Sequence, residues 1–157
     1  MDKQTKDRNY AMRETAKHIR RVQELLAETT TELLDRAIRH DTSKWSEAEW
    51  PYFAENTSKL KETTYGSERY KQLLEDIKPA LDHHYSVNSH HPEFYGDGMW
   101  GMSLLDLIEM LSDWKAATER HSDGNLMRSI EINAKRFNMP EYLQRCLINT
   151  ARELGWD

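Results

Sequence analysis

The apolar residues of this chain recur at intervals of three and four and almost nowhere alternate. That spacing is the mark of helices with one buried face. Ile19, Val22, Leu25 and Leu26 form a stripe along a helix expected over about residues 8 to 28. Leu33, Leu34, Ala37 and Ile38 do the same for a second helix over about 30 to 40. Both stripes are expected to face inward. In "SKWSEAEWPYFAEN" the helix start is open. Ser46 and Glu49 have capping-box spacing with Trp45 and Trp50 as a staple, whereas Pro51 suits a helix that begins at Trp50. Ser67 can cap a long helix carrying Tyr70, Leu74, Ile77 and Leu81, and Pro79 predicts a kink or break within it. "NSHHPEFYGDGMWG" reads as a loop. Ser103 then caps a helix running to about Arg120, and two more follow over about 125–137 and 140–154. Pro140 lies in a first turn and Gly155 just past an end. Alternating runs rich in Val, Ile and Thr are missing. The expected fold class is all-α: one single-domain bundle of about six or seven helices over residues 1–157.

At 157 residues the chain is long enough to bury a core without staples. Its one cysteine, Cys146, excludes an internal disulfide and a zinc site built on thiolates alone. It has no apolar run of about 18 residues, so no membrane span is expected. The first residues, MDKQTKDRNYAMRE, lack the apolar stretch of a signal peptide, which makes a cytoplasmic location the expectation. Net charge is -5 and no block of Lys and Arg stands out, which argues against a duplex nucleic-acid surface. A small anionic substrate remains compatible, because local charge matters more than the total. Leu143, Leu147, Ala151 and Leu154 give the last helix an apolar face that would serve a core or a homo-oligomer equally well.

Candidate chemistry enters with the histidines. Four of the seven fall in "HHYSVNSHHPE", residues 83 to 93. Neutral imidazole is the commonest nitrogen ligand of transition metals. Helical spacing puts His18 on the face of Val22 and Leu25, and both His40 and Asp41 at the border of the buried side. His84 follows Leu81 by three and Ile77 by seven, which makes it the inward candidate and leaves His83 as the fallback. One buried polar group is satisfied by one hydrogen bond. Several converging ones call for a shared partner, and a divalent metal is an economical one. Asp106 has a structural reading of its own: Ser103-Leu104-Leu105-Asp106 fits a capping box, with Met102 and Leu107 as its staple.

The ordered set His18, His40-Asp41, His84, His90-His91, Asp106 resembles the HD superfamily of metal-dependent phosphohydrolases, in the arrangement of members that carry extra histidines and hold two metals. "HDTSK" is similar to the His-Asp-x-Gly-Lys of the cyclic-dinucleotide phosphodiesterases in that superfamily, which sets Lys44 on their substrate-phosphate lysine. "HHPEFYGDGM" is similar to their His-His-Glu and glycine-rich turn, and "LLDLIEML" to their Ala-Asp-x-x-Asp helix, which would make Asp106 a ligand. Ser43 replaces the glycine, Pro92 precedes Glu93, and a Gly-Tyr-Pro triplet is missing. These departures bear on a cyclic-dinucleotide substrate more than on a metal site. Over nearly its whole length the chain also resembles a small family of phage and bacterial proteins with an HD-like core, through "HDTSK", "HHYSVNSHHPE", "LLDLIEMLSDWKAA", "DGNLMRSIEINAKRF" and "LINTARELG".

The resemblance implies that Asp41 bridges or closes a metal site. His18, His40 and Asp106 would complete a first metal, and His84 with His90 or His91 a second. Nitrogen and carboxylate donors suit one or two ions of Mn, Fe, Co, Ni or Zn and fit Mg poorly. The implied activity is a metal-dependent phosphohydrolase acting on a nucleotide or related phosphate ester. In it Lys44 offsets phosphoryl charge and Glu93 orients water or an imidazole. Arg39 and Arg120 read as solvated surface charge rather than phosphate contacts. Two other readings use the same residues. One is a di-iron, dioxygen-activating protein. The other is a non-enzymatic phage protein that binds a host protein through Trp45, Trp50, Tyr95 and Trp100.

Overall fold

The computed structural model describes residues 2–63, 67–120 and 124–156. Seven α-helices follow in order: α1 Lys3–Arg39, α2 Trp50–Lys61, α3 Glu68–Asp76, α4 Lys78–Val87, α5 Leu104–Thr118, α6 Leu126–Arg136 and α7 Glu141–Glu153. No strand occurs among the described residues. The all-α expectation and its helix number are met. Residues 64–66, in the loop expected before Ser67, lie outside the described residues.

The chain forms two compact units, Met1–Arg39 and His40–Asp157. The first unit is α1 alone. The two helices expected over about 8–28 and 30–40 are one helix of 37 residues. Residues 3–39 contain no Gly or Pro to stop it. The hydroxyls of Thr29, Thr30 and Thr31 each donate to the carbonyl four residues back, on Leu25, Leu26 and Ala27. The polar groups that would have favoured a turn are thereby folded into the helix itself. The expected inward face is also corrected: α1 buries none of its residues, and Ile19, Val22, Leu25, Leu26, Leu34 and Ile38 are exposed.

In the second unit, local signals act as their chemistry requires. α2 starts at Trp50 with Pro51 in its first turn, and the Trp45 and Trp50 rings lie 4.7 Å apart. The Ser46–Glu49 capping box does not form; the Glu49 side chain makes no cap bond. Ser67 caps α3 by accepting from the Tyr70 amide at 3.1 Å. Pro79 sits in the first turn of α4, and Ile77 alone separates α3 from α4, so the expected long helix is broken there. α5, α6 and α7 pack around Met110, Leu111, Leu126, Ile130, Leu147 and Ala151. Each large apolar side chain buried this way contributes roughly 1.5–3 kcal/mol before entropy is charged against it. The apolar face of α7 is thus divided: Leu147 and Ala151 are core, whereas Leu154 is exposed.

The entry to α5 fixes the framework of the site. Ser103 and Asp106 form a reciprocal capping box. Asp106 is buried and also accepts from Ser89 Oγ at 2.7 Å and from the Tyr95 hydroxyl at 2.8 Å. The Tyr95 ring rests on Gly101, where a Cβ would come within 2.6 Å of it. No helix of the described residues is long and apolar enough to cross a membrane.

Candidate metal centre

Four segments of the second unit converge. His40 and Asp41 lead into a short 3-10 turn, Thr42–Trp45. Asp41 holds a left-handed backbone, φ 55°, a region that Asp and Asn enter more readily than most residues. The last turns of α4 supply His83 and His84. The loop after it supplies His90 and His91, and α5 supplies Glu109 and Asp113.

Asp41 is the hub. Its Oδ1 lies 3.2 Å from His84 Nε2 and 3.4 Å from His90 Nε2, and His91 Nε2 lies 3.0 Å from His84 Nε2. One donor atom from each of Asp41, His84, His90 and His91 lies within 4.8 Å of all the others. Four ligands on bonds of about 2.1 Å in a tetrahedron stand about 3.4 Å apart, and the three separations above fall close to that. The other carboxylate oxygen, Oδ2, faces a second group: His40 Nε2 at 3.4 Å, with Asp113 Oδ1 a further 3.8 Å from that nitrogen. Lys44 Nζ also bonds to Oδ2.

Two glutamates set the rings. Glu49 is fully buried, and its two oxygens lie 2.8 Å from His83 Nδ1 and 2.9 Å from His84 Nδ1. Glu109 Oε1 lies 3.0 Å from His40 Nδ1 and 3.2 Å from His90 Nδ1. An ionised carboxylate only accepts, so these Nδ1 atoms carry the protons. With Nδ1 so engaged, Nε2 of His40, His84 and His90 is the atom each ring would offer a metal beside Asp41, which is how outer carboxylates prepare histidines for metal. His90 Nε2 and Asp41 Oδ1 are buried and have no hydrogen-bond partner. Their close approaches lack donor geometry. A buried polar atom without a partner costs about 1–3 kcal/mol, and two of them facing one point suit a shared cation. The donor set therefore fits a transition-metal ion.

Burial by itself would raise the Asp41 carboxyl, but the surrounding His84, His90 and Lys44 hold it well below the usual carboxylate range. Burial, then His90 and His84, lower His91 to about 3. His91 is thus neutral with an available lone pair at neutral pH. In the unfolded chain it would take up a proton near pH 6.5. Metal-free protein is therefore expected to hold this stability above about pH 6.5 and to lose it as pH falls toward 3, by roughly 5 kcal/mol at most. Thermal unfolding followed by circular dichroism from pH 7.5 to 4 checks this; a melting temperature flat across that range would contradict it.

Among the sequence candidates, the structure gathers His40, Asp41, His84, His90 and His91, with Lys44 at their edge. It takes both His90 and His91, and it prefers His84 to His83, which shares Glu49 instead. Three candidates are elsewhere. His18 is exposed on α1, and its 21-residue distance from Arg39 is about 32 Å of helix rise. Asp106 is consumed by the capping box, Ser89 and Tyr95, so its place on α5 is taken by Glu109 and Asp113, three and seven residues further along the same face. Glu93 is paired with Arg136 of α6 at 2.7 Å. The residues that sequence reasoning missed are Glu49, Glu109 and Asp113. The α5 pair carried a legible signal in its spacing from Asp106; Glu49 was hidden by its fit to a capping box.

An all-α unit with a half-buried histidine–carboxylate cluster is the class that fold and site define. The chain belongs to a family of unknown function, DUF5662, whose sequence profile matches residues 7–154. No curated protein and no solved structure matches it.

Proposed function

We propose that this protein is a metal-dependent phosphohydrolase of the HD type, acting on a nucleotide or related phosphate ester. The observation that carries the reading is the pair of buried, unpartnered atoms, Asp41 Oδ1 and His90 Nε2, within a ring of oriented imidazoles. Asp41, His84, His90 and His91 would hold one ion, and His40, Asp41 and Asp113 a second. A metal bound there supplies Lewis acidity toward a phosphoryl oxygen and a lowered pKa for water. The Lys44 ammonium, on Asp41, is placed to offset charge on the phosphoryl oxygens. The exposed rings of Trp45 and Trp50, beside Lys44 in sequence, offer a planar group a stacking surface.

Protein purified without a metal-chelating tag should contain transition metal and turn over at least one substrate among mono-, di- and triphosphate nucleotides and cyclic dinucleotides, with Mn, Co or Ni present. Turnover should stop on chelation. Inactivity with all three metals across that panel would reject the reading. The sharing of Asp41 by two donor groups also favours a second reading, a di-iron centre that activates dioxygen. Loading with ferrous iron without oxygen, then admitting oxygen, separates them: a colourless, inert sample argues against oxidation.

A further inference from the structure

None of the 37 residues of α1 is fully buried, although Leu33 is half-buried, yet the helix is strongly two-sided. Met12, Ile19, Leu26 and Leu33 repeat every seven residues. Thr15, Ala16, Val22, Gln23, Thr30 and Ala37 fill the stripe between and around them, and Arg36, at its far end, is the one charged residue at these heptad positions between Met12 and Ala37. Thr29 and Thr30 bond their hydroxyls back to the helix, which turns their methyls outward. The opposite face holds the ions, paired among themselves as Lys17–Glu14, Arg21–Glu24 and Arg21–Glu28. A seven-residue apolar repeat on a long helix is the pattern of a helix that pairs with another helix.

We infer that α1 pairs with α1 of a second copy, antiparallel, with Met12 near the partner's Leu33 and Ile19 near the partner's Leu26. Charge chooses the direction. Residues 10–21 carry Arg13, Lys17, Arg20 and Arg21 against Glu14 alone, whereas residues 22–35 carry Glu24, Glu28, Glu32 and Asp35 and no Lys or Arg. An antiparallel pair sets basic half against acidic half; a parallel pair sets like against like. Most of these ions lie on the face away from the seam and are screened over a Debye length of about 10 Å, so they orient the pair more than they tighten it. Area is sufficient: the stripe from Met12 to Ala37 rises about 39 Å, and a seam of that length buries on the order of 1,200 Å² in total, within the range of specific interfaces. The pairing is independent of what the histidine cluster binds.

Light scattering of the full chain at tens of micromolar is expected to give the mass of two chains. Replacing Ile19 and Leu26 together by lysine should raise the dimer dissociation constant at least a hundredfold. Near-ultraviolet circular dichroism of the five tryptophans, all between residues 45 and 156, should not change. Direction is read by disulfide trapping in a Cys146→Ser background, since Cys146 is exposed. Met12→Cys protein mixed with Leu33→Cys protein should cross-link, and neither should cross-link to itself. A monomeric wild-type chain, a dimer untouched by the lysine pair, or self-cross-linking of Met12→Cys would each overturn the inference.

Discussion

Replacing Asp41 by asparagine is expected to abolish stoichiometric binding of transition metal while leaving the fold intact. Asparagine accepts the left-handed backbone at this position, so the substitution changes charge and little else. Asp41 is the one residue whose two oxygens face the two donor groups, Oδ1 toward His84 and His90 and Oδ2 toward His40. Loss of this ligand should weaken affinity by more than the 10–100-fold typical of outer partners. Metal analysis and a titration with Co or Zn measure it. Stability of the metal-free protein should fall only in part, because the amide keeps the backbone conformation but gives up the charge that Lys44, His84 and His90 hold ionised. The opposite result, undiminished metal binding with a large loss of stability, would make the cluster a structural polar network.

Glu49→Ala should have the largest effect on stability. The carboxylate is fully buried and receives the Nδ1 protons of His83 and His84. Its removal leaves the buried His84 Nδ1 with Ser43 Oγ, at 3.2 Å, as its remaining oxygen neighbour and opens a cavity, while half-exposed His83 turns to water. At about 1–3 kcal/mol for the weakened buried hydrogen bond, with the cavity added, the cost is roughly 3 kcal/mol, or a fall of about 9 °C in melting temperature for a chain of this size. The ring of His84 also loses its tether, so metal affinity should drop 10–100-fold. Glu49→Gln should recover part of both, since the amide oxygen accepts one of the two bonds. Differential scanning calorimetry and metal titration on the two variants read the split. Affinity unchanged in Glu49→Ala would mean that something else orients His84.

Much of the fold was legible because its signals act within one turn of the chain. The break at Pro79, the caps at Ser67 and Ser103, and the extents of α6 and α7 depend on neighbours up to four residues away. α1 was misread for a related reason. A change in apolar periodicity near Thr29 has the same appearance whether a helix stops or continues, and no Gly or Pro settled the matter. The histidines of the site were visible by type and by crowding. Their carboxylate partners were not, because those pairings join residues far apart: Glu49 with His84, and Glu109 with both His40 and His90. Asp106 shows the converse. A carboxylate in the right region of α5 was assigned to the metal by resemblance, while its immediate neighbours in sequence had already claimed it.

Gly101 carries that dependence one step further. The Tyr95 ring occupies the volume where a side chain of residue 101 would stand, so even a methyl group there must evict the ring and draw its hydroxyl away from Asp106. The first turn of α5 would then lose an anchor, one and two turns ahead of Glu109 and Asp113. The smallest residue of the loop thus governs the aim of two carboxylates it never touches.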